Sequence, residues 1–187
     1  MGRSVRWAYT KATEGTYYTN PTSPSSTTAP TTPAWCAART TSRRRTRPAA
    51  RPGGLLRRPR RGLVQGRQDA ARRLDIEWNP YGDDCYGKST SGMVGWIRDF
   101  LDRYKSRTGR DAVIYTATSW WTQCTGNYGG FAAKNPLWIA RYAATAGTLP
   151  SGWSYYTMWQ YTSTGATVGD HDRFNGSQTQ LTKLATG

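Results

Sequence analysis

Five residues, Leu74-Asp75-Ile76-Glu77-Trp78, hold two carboxylates at i and i+2 inside an otherwise apolar stretch. On a β-strand alternate side chains share a face, so Asp75 and Glu77 would point the same way with Cα atoms about 7 Å apart. Leu74, Ile76 and Trp78 would then take the opposite, buried face. Carboxylates held close resist ionising together, so one pKa rises and that group can donate a proton near neutral pH. Glycoside hydrolysis uses two carboxyls this way: one protonates the leaving oxygen, and the other acts as base, nucleophile or stabiliser of positive charge. A strand end with two solvated acids is the plainer reading, and other stretches must decide between the two.

Asp170-His171-Asp172 follows the last strong strand pattern in a Gly-rich turn, where it either adds a third carboxylate to such a site or forms a hydrated turn. His171 is the only histidine, so neither a histidine-based metal site nor a cofactor is expected. Cys85 and Cys124 lie in two polar loops, a spacing that permits a disulfide, and Cys36 would be left unpaired.

The elements that must position these groups read as an α/β chain. Val5–Thr10 has strand character and Lys11–Gly15 reads as a polar turn closed by glycine. Asn79–Cys85 is a loop. Ser89 or Thr90 caps a helix running to about Thr108, with Met93, Ile97, Phe100, Leu101 and Tyr104 at helical spacing and Gly109 as the stop. Ala112–Thr116, Leu137–Tyr142 and Tyr155–Tyr161 read as strands, Ser119–Cys124 as a short helix or turn, and Gln178–Ala185 as a terminal helix. Strands alternating with helices early and crowding late imply a sheet or barrel in one domain.

The formal net charge of +15 invites a nucleic-acid or polyanion reading, so its location matters. Thirteen Arg and one acid, Asp69, fall between Thr22 and Arg73, and the remaining residues are nearly balanced. By composition this segment is a linker or a basic arm. No apolar run reaches the roughly 18 residues of a membrane span, and no leader-like segment opens the chain. Nine Trp and twelve Tyr fit either a sugar groove or an ordinary core.

Taken together, Lys11-Ala12-Thr13-Glu14-Gly15-Thr16, Leu74-Asp75-Ile76-Glu77, Ala112-Val113-Ile114-Tyr115-Thr116, Leu137-Trp138-Ile139-Ala140-Arg141-Tyr142 and Trp159-Gln160-Tyr161 resemble the family 25 glycoside hydrolases. These are lysozymes of the N-acetylmuramidase type, and the secreted actinobacterial members look most similar. The resemblance implies an irregular (β/α) barrel that cuts the β-1,4 bond after N-acetylmuramic acid in peptidoglycan, with glycan strands as the partner. It implies Glu77 as proton donor, Asp75 as its partner, and Asp170 as the family's late aspartate. Glu14, Tyr115, Trp138, Arg141 and Trp159 would contact the glycan, and Cys85 and Cys124 would be bridged, as in a secreted protein. A monomer without membrane or nucleic-acid partners is expected.

Two departures qualify that picture. The family opens on a strand bearing Asp-x-Ser, and this sequence starts after it, so the barrel is expected to be incomplete. Where the family has a helix and two strands, including an aromatic Ala-Tyr-His-Phe strand, this chain has Thr22–Arg73. With suitable codons, Thr22–Ser42 and Leu55–Arg72 in shifted frames read as family-like strings, so we read the segment as an out-of-frame translation. The alternative of another class is a non-catalytic wall-binding or polyanion-binding protein that uses the aromatic groove and the Arg run.

Overall fold

The computed structural model describes residues 8–14, 18–19, 37–42, 73–165, 167 and 169–186. Eight strands form one sheet in the order β2-β1-β3-β4-β5-β6-β7-β8. They are β1 (Ala8–Glu14), β2 (Tyr18–Thr19), β3 (Ala37–Ser42), β4 (Arg73–Asp75), β5 (Val113–Thr116), β6 (Leu137–Ala140), β7 (Met158–Thr162) and β8 (His171–Phe174). From β1 through β3 to β7 every pairing is parallel, while β2 and β8 are antiparallel edges. Among the described residues no ladder joins β8 back to β1 or β2, so the sheet is mixed α/β and its ladder stays open.

Helix α1 (Thr90–Thr108) starts where Ser89 accepts the Gly92 backbone N–H at 3.2 Å. It ends at Gly109, whose φ of 73° is the left-handed conformation that glycine adopts without a Cβ clash. Met93, Ile97 and Leu101 form its buried stripe, as their spacing requires. They pack on Leu74, Ile76 and Ile114 and on Trp120, Trp121 and Cys124 of α2 (Thr118–Thr125). Helix α3 (Gln178–Thr186) closes the chain, its Leu184 and Ala185 carbonyls accepting from Arg110.

Each strand carries two faces. Leu74, Ile76 and Ile114 meet α1 and α2, while Val113, Tyr115, Trp138 and Met158 form a cluster on the other face with Ala140, Phe174 and Leu184. Leu137, Ile139, Trp159 and Ala146 make a third cluster with Trp153, Tyr156 and Tyr161.

Four expectations change. Lys11–Glu14 continues β1 as strand, because Thr13 and Glu14 pair with β2 and with β3 beyond an irregularity at Lys11 and Thr13. Ala37–Ser42, inside the stretch read as linker or arm, is a strand inserted between β1 and β4. His171–Phe174 is a strand, not a turn, since it pairs antiparallel with β7. Trp78 is 38% exposed: regular pairing has ended by then, so alternation no longer buries it. The rest of Thr22–Arg72, the strand expected at Val5–Trp7 and Cys36 lie outside the described residues.

Candidate active site

The site follows from strand register. Asp75 lies beside Tyr115, Tyr115 beside Trp138, and Trp138 beside Met158, so these four form one row across β4 to β7. Two residues further on, a second row runs Ala140, Gln160, Asp172 across β6 to β8. The period of two brings both rows to one face, near the carboxyl ends of the parallel strands. In open α/β sheets those ends are where ligands bind.

Glu77 lies just past β4. The Ile76 N–H still donates to the Tyr115 carbonyl at 3.0 Å, which carries the strand geometry up to it. Leu74 and Ile76 are buried against α1 while Asp75 and Glu77 remain half-buried on the other side. The following loop is pinned by a disulfide between Cys85 and Cys124. The Trp120 indole N–H also donates to the Asp84 carbonyl at 3.0 Å. From that loop the Tyr86 hydroxyl donates to the Glu77 carbonyl at 3.1 Å.

Electrostatics tie the acids to the aromatic groups. The Tyr115 phenol is held far above its ordinary value, first by burial and then by the Glu77 and Asp75 carboxylates. Tyr142 is raised by burial, then by Asp170 and Glu77. Both therefore stay protonated and serve as donors across the neutral range. The Arg73 guanidinium sits 3.7 Å from Asp75 and stacks on Trp138 and Tyr115, 4.3 and 5.1 Å from their ring centres. Asp172 accepts the Trp138 indole N–H at 2.6 Å, and its carboxyl is pushed up to about 7 by burial.

Of the residues singled out in the sequence, Asp75, Glu77, Tyr115, Trp138 and Asp170 come together. Asp170 does so through the Gln160 amide, which donates to it at 3.3 Å. Trp159 and Arg141 do not. Trp159 is buried on the opposite face with Leu137 and Ile139, its indole N–H donating to the Arg141 carbonyl at 2.8 Å. The Arg141 guanidinium packs against Gly147 in the following loop. Their neighbours Gln160 and Tyr142 are in phase with Tyr115 and Trp138, so a one-residue offset exchanged the two faces. Glu14 is placed through its backbone at the end of β1, opposite Tyr18 and Ser42. Gln160, Tyr142 and Arg73 were missed as site residues, and of Asp170-His171-Asp172 the resemblance took only Asp170. Counting by two from Trp138 would have found Tyr142, as Met158 would have found Gln160.

The family model for glycosyl hydrolases family 25 matches residues 61–170. Lysozyme M1 of Streptomyces globisporus is 52% identical over 117 residues, which is 60% of this chain and 40% of that protein. This chain spans about half the length of the curated relatives it matches. A muramidase structure from Trichobolus zukalii superposes with a TM-score of 0.78 at 34% identity, covering 97% of this chain and 87% of the other. The bacterial lysozyme from Streptomyces coelicolor gives 0.71 at 36% identity, covering 96% and 86%.

Proposed function

The chain belongs to glycosyl hydrolase family 25, and from that premise we propose that it hydrolyses the β-1,4 bond between N-acetylmuramic acid and N-acetylglucosamine in peptidoglycan. The observation that carries this reading is the placement of Asp75 and Glu77 on one face of the sheet, electrostatically coupled to the same buried phenol of Tyr115. Glu77 protonates the glycosidic oxygen as the bond breaks. Asp75 supplies negative charge beside the oxocarbenium-like carbon that this leaves, and water completes the hydrolysis by forming the new C–O bond there and giving up a proton. Tyr115, kept protonated and almost wholly buried, lies beneath the sugar site, and the fully buried Trp138 ring supports it edge-on at 5.3 Å between centroids. Asp170 and Tyr142 form the outer rim, both on the exposed side of Gln160.

The partner in this reading is the glycan strand of the cell wall, met by a secreted monomer. The Cys85–Cys124 disulfide supports an oxidising compartment. No helix among the described residues is long and apolar enough to cross a membrane.

Reducing-sugar release from purified peptidoglycan, compared between the native chain and Glu77→Gln, tests the assignment. A general acid contributes about 10²–10⁴-fold, so the variant is expected to lose at least a hundredfold in kcat. A Glu77→Gln variant that hydrolyses at the native rate removes Glu77 from its role. A native chain that binds peptidoglycan and releases no sugar overturns the enzymatic reading.

A further inference from the structure

Gln160 is a polar side chain on a strand otherwise devoted to the core: it is 4% exposed, between Met158 and the β7 irregularity that precedes Thr162. A buried amide is stable only when hydrogen-bonded, and here its partners are all groups of the candidate site. Its Oε1 accepts the Tyr115 hydroxyl at 2.8 Å and the Tyr142 hydroxyl at 3.1 Å. Its Nε2 donates to Asp170 Oδ2 at 3.3 Å. A carboxylate can only accept, so Asp170 fixes which end of the amide faces it and leaves the oxygen for the two phenols. One side chain therefore ties together three others, each from a different segment: β5, the loop after β6, whose Tyr142 hydroxyl also bonds Ser163, and the loop before β8.

We propose that Gln160 is a positioning residue of the hydrolytic reaction, holding the Tyr115 and Tyr142 hydroxyls and the Asp170 carboxylate in one fixed arrangement around the sugar. The inference rests on the proposed hydrolysis of peptidoglycan. Tyr115 is the group electrostatically coupled to both Asp75 and Glu77, so turning its hydroxyl alters the surroundings of both acids. The irregularity between Gln160 and Thr162 belongs to the same device. A bulge beside a site re-aims a side chain, and here it lies where β7 must present Gln160 while still pairing with Asp172 on β8.

Two substitutions separate positioning from mere packing. Gln160→Leu removes acceptor and donor together. Gln160→Glu keeps the shape and the acceptor, but puts a second carboxyl beside Asp170. The charged and titratable groups around it are then Asp170, His171, Asp172, Tyr115 and Tyr142, with Asp75 and Glu77 beyond Tyr115 and Arg73 as the cation stacked on the Tyr115 ring. Two neighbouring carboxyls hold one proton between them up to a raised pKa. In acid, the introduced carboxyl is protonated and can donate to Asp170 as the amide does, and at higher pH the bond becomes a repulsion.

The measurement is kcat and KM for sugar release from purified peptidoglycan across pH, each variant taken as a ratio to the native chain. Gln160→Leu is expected to lose about 10–100-fold in kcat at every pH, the scale of a displacement near 1 Å in a catalytic site. Gln160→Glu is expected to approach the native rate in acid and to fall away as pH rises. Should Gln160→Leu fail to fold, the pH ratio of Gln160→Glu decides alone. A flat ratio for Gln160→Glu, or a native kcat in folded Gln160→Leu, overturns the positioning role while the native rate upholds the enzyme. An inactive native chain overturns the enzymatic reading and this inference with it.

Discussion

At the scale of single residues, Asp172 shows how burial sets the chemistry of a site. Its carboxyl is raised from the ordinary 3.8 to about 7, because desolvation outweighs the opposing Trp138 hydrogen bond and Arg73 charge. A folded pKa above the unfolded one means that the folded state holds the proton more tightly. Stability linked to Asp172 is therefore full below about pH 4 and declines as pH rises through about 7. Asp172→Asn keeps an acceptor for the Trp138 N–H and removes the titration. With tenfold in proton affinity equal to about 1.4 kcal/mol, the variant should gain at least about 1 kcal/mol on the native chain between pH 4 and 7. Urea unfolding at a series of pH values reads this directly, and parallel curves for the two proteins would refute it. Asp75 and Glu77 were legible in the sequence because two acids among three apolar residues conflict with simple burial. Asp172 and Gln160 were not, since their roles depend on groups from distant elements: Trp138 of β6 on Asp172, and Tyr115 of β5 and Asp170 before β8 on Gln160. No local pattern carries that information.

At the scale of elements, β4 to β7 were legible as strands, and of these only β4 showed its phase as well. Leu74 and Ile76 fell on the helix side as alternation requires, because their own acids marked the other face. On β6 and β7 aromatic residues occupy both faces, so side-chain type could not say which one meets the sugar. Trp159 lies among Leu137, Ile139 and Ala146, which makes it part of the core. Trp159→Ala should cost about 3–5 kcal/mol of stability, the usual range for deleting a buried aromatic ring. In whatever fraction stays folded, KM for peptidoglycan should be unchanged. A rise in KM with native stability would return Trp159 to the sugar groove. The loop after Glu77 obeys a different constraint, the disulfide across a separation of 39 residues. Closing a loop of that length is worth about 4 kcal/mol in the chain-entropy model. Cys85→Ser with Cys124→Ser should lower the unfolding free energy by roughly that amount. It should also lower kcat, because Tyr86 on the loop holds the Glu77 carbonyl. A double variant with native stability and rate would show the loop to be held by Trp120 and Tyr86 alone.

At the scale of the whole molecule, the sheet joins two unlike parts. From β5 to β7 the strands are rich in large apolar residues, as parallel strands covered on both sides require. Strand β3 occupies an equally interior place between β1 and β4, yet its sequence is Ala-Ala-Arg-Thr-Thr-Ser. That composition suits a buried parallel strand poorly, and among the described residues β3 pairs with β4 only at Thr40↔Arg73 and Thr41↔Leu74. With suitable codons, the end of this stretch in a shifted frame would read Ala-Tyr-His-Phe, whose aromatic residues would fill the position. We therefore expect a chain in which Thr22–Ser42 and Leu55–Arg72 carry the shifted reading to unfold at a higher temperature. For a protein of this size each kcal/mol gained is worth about 2–4 °C, so a gain of several degrees is the expected result. The same change touches seven of the thirteen Arg of Thr22–Arg73 and leaves Arg43–Arg45, Arg47 and Arg51 between the two stretches, so association with polyanions should become less steeply dependent on salt. If the chain with the shifted reading melts at or below the native one, the basic-arm reading of the segment is favoured. Its charge would then draw the enzyme to an anionic wall, and the native chain's rate on whole walls should fall as ionic strength rises.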